Sequence, residues 1–221
     1  MLKWFGVLLA GLLLLSCSVE EEDQNSEIKG EGLEAFSKSE RQEANTARNE
    51  AYLSTVEKEV FFYLNLARRH PAKFVKVFLE KYEHAPGYNK GYAFDERKAS
   101  LIQQLKRQEP LALVNPSREL FSLAECFAVA QGKSGYTGHG RGGTGCESGY
   151  HAECCDYGDY PSGLYIILEL LIDSGRGNEA LGHRKILLSD YRCMGVAQRD
   201  HSRYGKCAVL DFWTREGGVW E

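Results

Sequence analysis

Residues Trp4–Leu15 carry no charge and are mostly Leu, Val and Ala, and the run stops at Leu14-Leu15-Ser16-Cys17. A helix that crosses a bilayer needs about 20 apolar residues, and this stretch has twelve. With Lys3 before it and a small residue ahead of a cysteine at its end, it reads as an export signal covering residues 1–16. Cys17 is then the lipid-modified first residue of the mature chain. The alternative is an ordinary secretory signal with an incidental cysteine. Two or more acyl chains suffice for stable anchoring, so the membrane becomes a partner through the N-terminus. The place expected is the bacterial outer membrane or cell surface. The constraint on folding follows from the compartment, because an exported chain folds where thiols oxidise.

Six cysteines follow Cys17: Cys126, Cys146, Cys154, Cys155, Cys193 and Cys207. An even number in an exported chain predicts three disulfides. The rival is a zinc–thiolate site, against which stands the lack of any C-x-x-C pair. Cys154 and Cys155 are adjacent, so they should take different partners, and Cys146 is near enough to join either across a short loop. A Cys193–Cys207 bridge is disfavoured. A turn at 199–205 would set Cys207 opposite Ala197 or Gln198, too far from Cys193 for disulfide geometry.

Between the anchor and the rest lies a polar segment. Ser18–Glu50 holds ten acidic and four basic residues, with few large apolar ones and no clear period. Such a composition buries too little surface to offset ordering entropy, so residues 17–50 are expected to form a disordered acidic tether. Its run Glu20-Glu21-Glu22-Asp23 resembles the acidic surface-export signal of Bacteroidetes lipoproteins; a solvated charge run is the plainer reading. The tether accounts for the negative balance of the chain, whose formal net charge is −4. The remainder, 51–221, is nearly neutral and suits one domain with one core. Nothing in it suggests a basic face, so no nucleic-acid partner is expected.

Within that domain Leu53, Val56, Val60, Phe61, Leu64 and Ala67 fall at helical spacing. Pro71 marks an end or a break, and 73–82 is helical again. Residues 85–100 are rich in turn formers and predict a loop. A second helix follows Pro116-Ser117, carrying Leu120, Leu123, Ala124, Phe127 and Ala128. Residues 132–149 hold eight glycines, a loop of tight turns. Leu164–Ile172 predicts a buried helix, and a short helix should run from Gly182 to Leu188. Residues 195–198 and 206–212 predict a β-hairpin. Helices first and strands last make an α+β class.

Several residues could carry chemistry. Glu169 is the one charge in its apolar run; it is either buried with a partner or on a solvent stripe. His139 sits between two glycines that let a ligand approach the backbone, or it is simply exposed. His183, at a helix start, could ligate a metal or act as a base, or merely cap. Glu153 lies among cysteines. His151-Ala152-Glu153 superficially matches the H-x-E of zinc deaminases, but the companion P-C-x-x-C is missing. No H-E-x-x-H, G-x-S-x-G or phosphate-binding glycine loop occurs. A catalytic cysteine is excluded if all six are paired.

Leu181-Gly182-His183-Arg184-Lys185-Ile186-Leu187-Leu188, then Gly195-Val196-Ala197, then Ala208-Val209-Leu210-Asp211-Phe212, resemble the C-terminal signature of the CAP superfamily, the SCP-like or cysteine-rich secretory proteins. Ala152–Gly158 resembles the family's G-E-N-I-x-Y-G segment, Gly138-His139 its loop histidine, Leu168–Gly175 the stretch before G-H-R, and Glu57–Pro71 its first helix. Tyr165 and Ile166 stand where the family carries a tryptophan. The resemblance implies an α-β-α sandwich with a cleft of two histidines and two glutamates, here His139, Glu153, Glu169 and His183. It further implies that His139 and His183 face one another and jointly bind a divalent cation such as zinc; His201, in the hairpin turn, should be dispensable. Three functions follow as expectations. The first is a surface-anchored binding module for a metal or a small ligand, lipid or peptide. The second is a metal-assisted hydrolase of peptide or envelope substrates. The third is a structural surface protein with a vestigial cleft.

Overall fold

A computed structural model describes residues 30–214 apart from 176, 178 and 179. The export signal, Cys17 and the acidic run at 20–23 lie outside the described residues. What is described is an α+β fold. Its helices are α1 (Lys38–Ala44), α2 (Thr55–Arg69), α3 (Pro71–Phe74), α4 (Phe94–Arg107), α5 (Arg118–Ser134), α6 (Gly163–Ile172) and α7 (Gly182–Leu187). Its strands are β1 (Asn115–Pro116), β2 (Ala152–Tyr157), β3 (Cys193–His201) and β4 (Gly205–Trp213). The sheet order is β1-β3-β4-β2, with β1 parallel to β3 and the other pairs antiparallel.

The segment expected to be a tether is ordered from its second half onward. Ser37 and Glu40 form a reciprocal capping box that starts α1. Leu33, Phe36, Ala44 and Ala47 are buried, and the Phe36 ring stacks on Phe78 at 6.0 Å. Average composition hid these few anchors. Their order comes from the face that α2 and the turn after α3 offer them, where Asn65 also holds the carbonyl of Ala44. The buried core thus includes residues that precede position 51.

Helix α2 follows its predicted apolar spacing and starts at a second capping box, Ser54 with Glu57. Glu57 is buried and does more than cap. Its Oε1 accepts from the backbone of Gln198 at 2.9 Å and from Arg199 at 2.8 Å, tying α2 to β3. At the other end of α2, buried Arg68 donates to the carbonyls of Ala112, Leu187, Ser189 and Tyr191. Helix α5 lies along β3 and β4, and the approach is close. A Cβ on Gly195 would fall 2.1 Å from the backbone of Leu120 and Phe121. The glycine of the Gly195-Val196-Ala197 motif is thus a packing requirement.

Three expectations need correction. Residues 85–100 are not all loop: α4 starts at Phe94 and buries Phe94, Arg97, Leu101 and Leu105. The charges of Asp95 and Glu96 at its start and Lys106 and Arg107 at its end complement the helix dipole. The hairpin turn is shorter than 199–205, since pairing runs to His201 and Gly205. Finally, the three expected disulfides reduce to one described bridge, Cys126–Cys146, with Cα atoms 5.7 Å apart. Cys154, Cys155 and Cys207 are buried thiols. Cys146 reaches back to α5, not forward to its near neighbours. Cys154 and Cys155 are consecutive residues of β2, so they point to opposite sides of the sheet. Cys207 pairs with Arg199 and Cys193 with Trp213, which leaves no Cys193–Cys207 bridge.

Candidate metal and ligand cleft

His139 follows α5 on the glycine-rich loop, and the loop is pinned at the preceding residue. The Gly138 amide donates to the Tyr157 hydroxyl at 2.8 Å, and the Gly138 carbonyl accepts from Gln131 at 2.6 Å. Gly138 has φ 118°, a value that favours glycine. The Cys126–Cys146 bridge closes the same loop onto α5. His139 is thereby held with Nδ1 2.8 Å from Glu153 Oε1. Its side chain is 54% exposed while that of Glu153 is 3% exposed, so solvent reaches the ring but not the carboxylate behind it.

Glu153 belongs to β2, the sheet edge beside β4, and alternation puts Cys155 on the same side. Behind Glu153 lies Arg141, a residue that sequence reasoning missed. Its guanidinium bonds Glu153 Oε2 and both oxygens of Asp211, at 2.8 and 2.7 Å, with all three side chains buried. It also donates to the carbonyls of Leu123 and Glu147 at 2.9 Å, linking α5 and the loop. Burial pushes the Glu153 carboxyl up, but hydrogen bonds from His139 and Arg141 outweigh it and hold Glu153 below its usual range. Asp211 goes the other way. Burial, with the Glu153 charge adding to it and Arg141 opposing, pushes it up to about 8.

His183 is oriented by a second missed residue, Asp173, which ends α6 in the left-handed region at φ 58°. Asp173 accepts from the His183 backbone and from His183 Nδ1, both at 3.0 Å. Two arginines hold the backbone that carries that carboxylate. Arg97 of α4 donates to the Asp173 and Gly175 carbonyls, and Arg184 donates to the carbonyls of Leu171 and Ile172. In Gly182-His183-Arg184 the histidine faces the cleft and the arginine builds it. Only the arginine's partners explain why the two are adjacent.

The histidine rings stand 6.1 Å apart, centre to centre, across one cavity of about 770 Å³. His139, Cys155, Asp156, Glu169, Asp173 and His183 line it. The structure thus brings three of the four expected residues to the cavity, with Glu153 one hydrogen bond behind His139. The Tyr82 hydroxyl and the Ala85 backbone donate to Glu169, with His84 as the nearby charge, and Tyr82 packs against Tyr165. Burial raises the Glu169 carboxyl against those hydrogen bonds. Burial also keeps the Cys155 thiol protonated to high pH. His201 is not a turn residue. It ends β3, is 3% exposed, and bonds the Tyr136 carbonyl and the Arg203 amide, a structural role.

In both histidines Nδ1 meets a carboxylate, and among the described residues neither Nε2 has a hydrogen-bond partner. That arrangement fixes the tautomer of a metal-ligating or proton-accepting imidazole. Zinc–nitrogen bonds of about 2.0–2.1 Å place two ligating rings roughly 5–6 Å apart, which the observed 6.1 Å nearly meets. His139, Glu153 and Cys155 also form a group whose ligand atoms lie within 4.8 Å of one another. The donor set therefore fits a divalent cation. Among the described residues no helix is long and apolar enough to cross a membrane. No family profile, curated protein or solved structure matches the chain.

Proposed function

We propose that this chain is a CAP-superfamily domain, an α-β-α sandwich carried to the outer surface on a lipid at Cys17, whose cleft binds a divalent cation or a small ligand. The observation that carries the reading is the pair of carboxylate-oriented histidines, His139 with Glu153 and His183 with Asp173, facing one cavity 6.1 Å apart. The order of elements along the chain and the mixed sheet between helical groups support the fold. Residues from three separate segments converge with buried carboxylates behind them, and such preorganisation is what a ligand set needs. A bound cation would act as a Lewis acid at the cavity mouth. The chain's own part is to orient both imidazoles through carboxylates that it keeps from water.

Zinc calorimetry on the mature chain should show one cation per molecule, lost in the double variant His139→Ala/His183→Ala while circular dichroism stays unchanged. A wild-type chain that takes up no zinc at neutral pH overturns the reading. The hydrolase alternative rests on one observation, the His183–Asp173 dyad with an unbonded Nε2, which is the geometry of a general base. Turnover of a peptide library that stops on chelation would favour it.

A further inference from the structure

We infer that the cation is held through a thiolate, with Cys155, His139 and Glu153 as its protein ligands and the fourth position open to the cavity. The inference rests on the reading that the cleft takes a divalent cation, and names the ligands and class of metal. His139 Nδ1 lies 3.8 Å from Cys155 Sγ, and Sγ lies 3.6 Å from Glu153 Oε1. Tetrahedral zinc, with bonds of about 2.3 Å to sulfur and 2.0–2.2 Å to nitrogen or oxygen, spaces such ligand atoms about 3.3–3.6 Å apart. Two of the three edges are nearly in place. The third, His139 Nδ1 to Glu153 Oε1, is a 2.8 Å hydrogen bond that a metal would replace by opening it about half an ångström.

The surroundings agree with that ligand set. Arg141 occupies Glu153 Oε2 and leaves Oε1 for the ion, so the carboxylate binds through one oxygen. Cys155 stays a thiol although Cys146 lies only nine residues before it and is bridged to Cys126 instead. Asp156, the next residue of β2, also lines the cavity, with Oδ2 buried and without a hydrogen-bond partner among the described residues. On binding, the S–H bond breaks and its proton leaves to solvent as the metal–sulfur bond forms. In this ligand set His139 binds through Nδ1, the nitrogen beside Glu153 and Cys155, so its Nδ1 proton moves to Nε2 and the hydrogen bond to Glu153 gives way to the metal. Three protein ligands with one open position are the pattern of reactive zinc sites, and sulfur selects zinc or cobalt over magnesium or calcium.

Cobalt(II) titrated into the mature chain reports the sulfur directly. A near-ultraviolet thiolate-to-cobalt charge-transfer band is expected at one equivalent, lost in Cys155→Ser and kept in Cys154→Ala. X-ray absorption at the zinc edge of the unaltered chain needs no variant, and should find one sulfur at about 2.3 Å beside nitrogen and oxygen at about 2.0 Å. Metal uptake with a shell of nitrogen and oxygen only overturns the thiolate while leaving the cleft reading standing. Sulfur in the shell that survives Cys155→Ser overturns the choice of residue. Absence of metal uptake overturns both.

Discussion

Arg141 spans two buried carboxylates, and one guanidinium cannot compensate both fully once each has been taken from water. The charge settles on Glu153, which His139 also bonds, and Asp211 keeps its proton up to about 8 against an ordinary value of 3.8. The native state thus holds a proton that the unfolded state releases above about pH 4. Stability from this group is full below that pH and is lost as pH rises through about 8. Buried Asp156 and Glu169 are raised as well and act in the same direction. Urea unfolding in chelator should therefore show a midpoint that falls between about pH 5 and pH 8, and Asp211→Asn should make that fall smaller. An equal fall in the variant would mean that Asp211 is ionised throughout. The histidines, the carboxylate Glu153 and the odd charge at Glu169 were legible as chemistry-bearing residues. Arg141, Asp173 and Tyr82 were not, because an arginine in a glycine loop and an aspartate after a helix have many surface uses. Only their buried partners reveal the role.

At the level of elements, the cleft is assembled by pieces that are individually ordinary. The glycine loop after α5 has no regular hydrogen bonding of its own and is held at Gly138, at Arg141 and by the Cys126–Cys146 bridge, which spans 20 residues. Closing a loop of that size removes unfolded-state entropy worth about 3 kcal/mol in the chain-entropy account. The double variant Cys126→Ser/Cys146→Ser should lose about that much in urea unfolding, and should bind zinc more weakly because His139 is no longer positioned. Unchanged affinity would show that Gly138 and Arg141 hold the loop alone. Strand β2 was overlooked because Glu153, Cys154, Cys155 and Asp156 do not alternate apolar with polar. Its pairing with β4 supplies the order that its pattern lacks. Helix α4 was overlooked for the opposite reason: its apolar positions are few, yet Arg97 and Ser100 on it brace Asp173 and Arg184.

For the molecule as a whole, the redox state is the sharpest check. The chain, unfolded in denaturant and chelator without reductant, should release the thiols of Cys154, Cys155 and Cys207. A titre of zero restores the three-bridge pairing that even cysteine counting suggests. The sequence by itself determined the class of the fold, the hairpin at its end, the principal helices, and the histidines and glutamate that meet at the cleft. It did so because apolar periodicity and glycine placement are local properties, and because the resemblance of short motifs marks residues one at a time. The tertiary structure alone decided that residues ahead of position 51 join the core, which cysteines join, and what stands behind each histidine. Those are contacts between segments far apart in the chain, such as Arg141 with Asp211 or Tyr82 with Glu169. A disulfide needs two Cα atoms brought within about 4.4–6.8 Å, and a buried carboxylate needs a donor at hydrogen-bond distance. Neither condition can be read along the chain, since both are set by how helices and strands pack against each other.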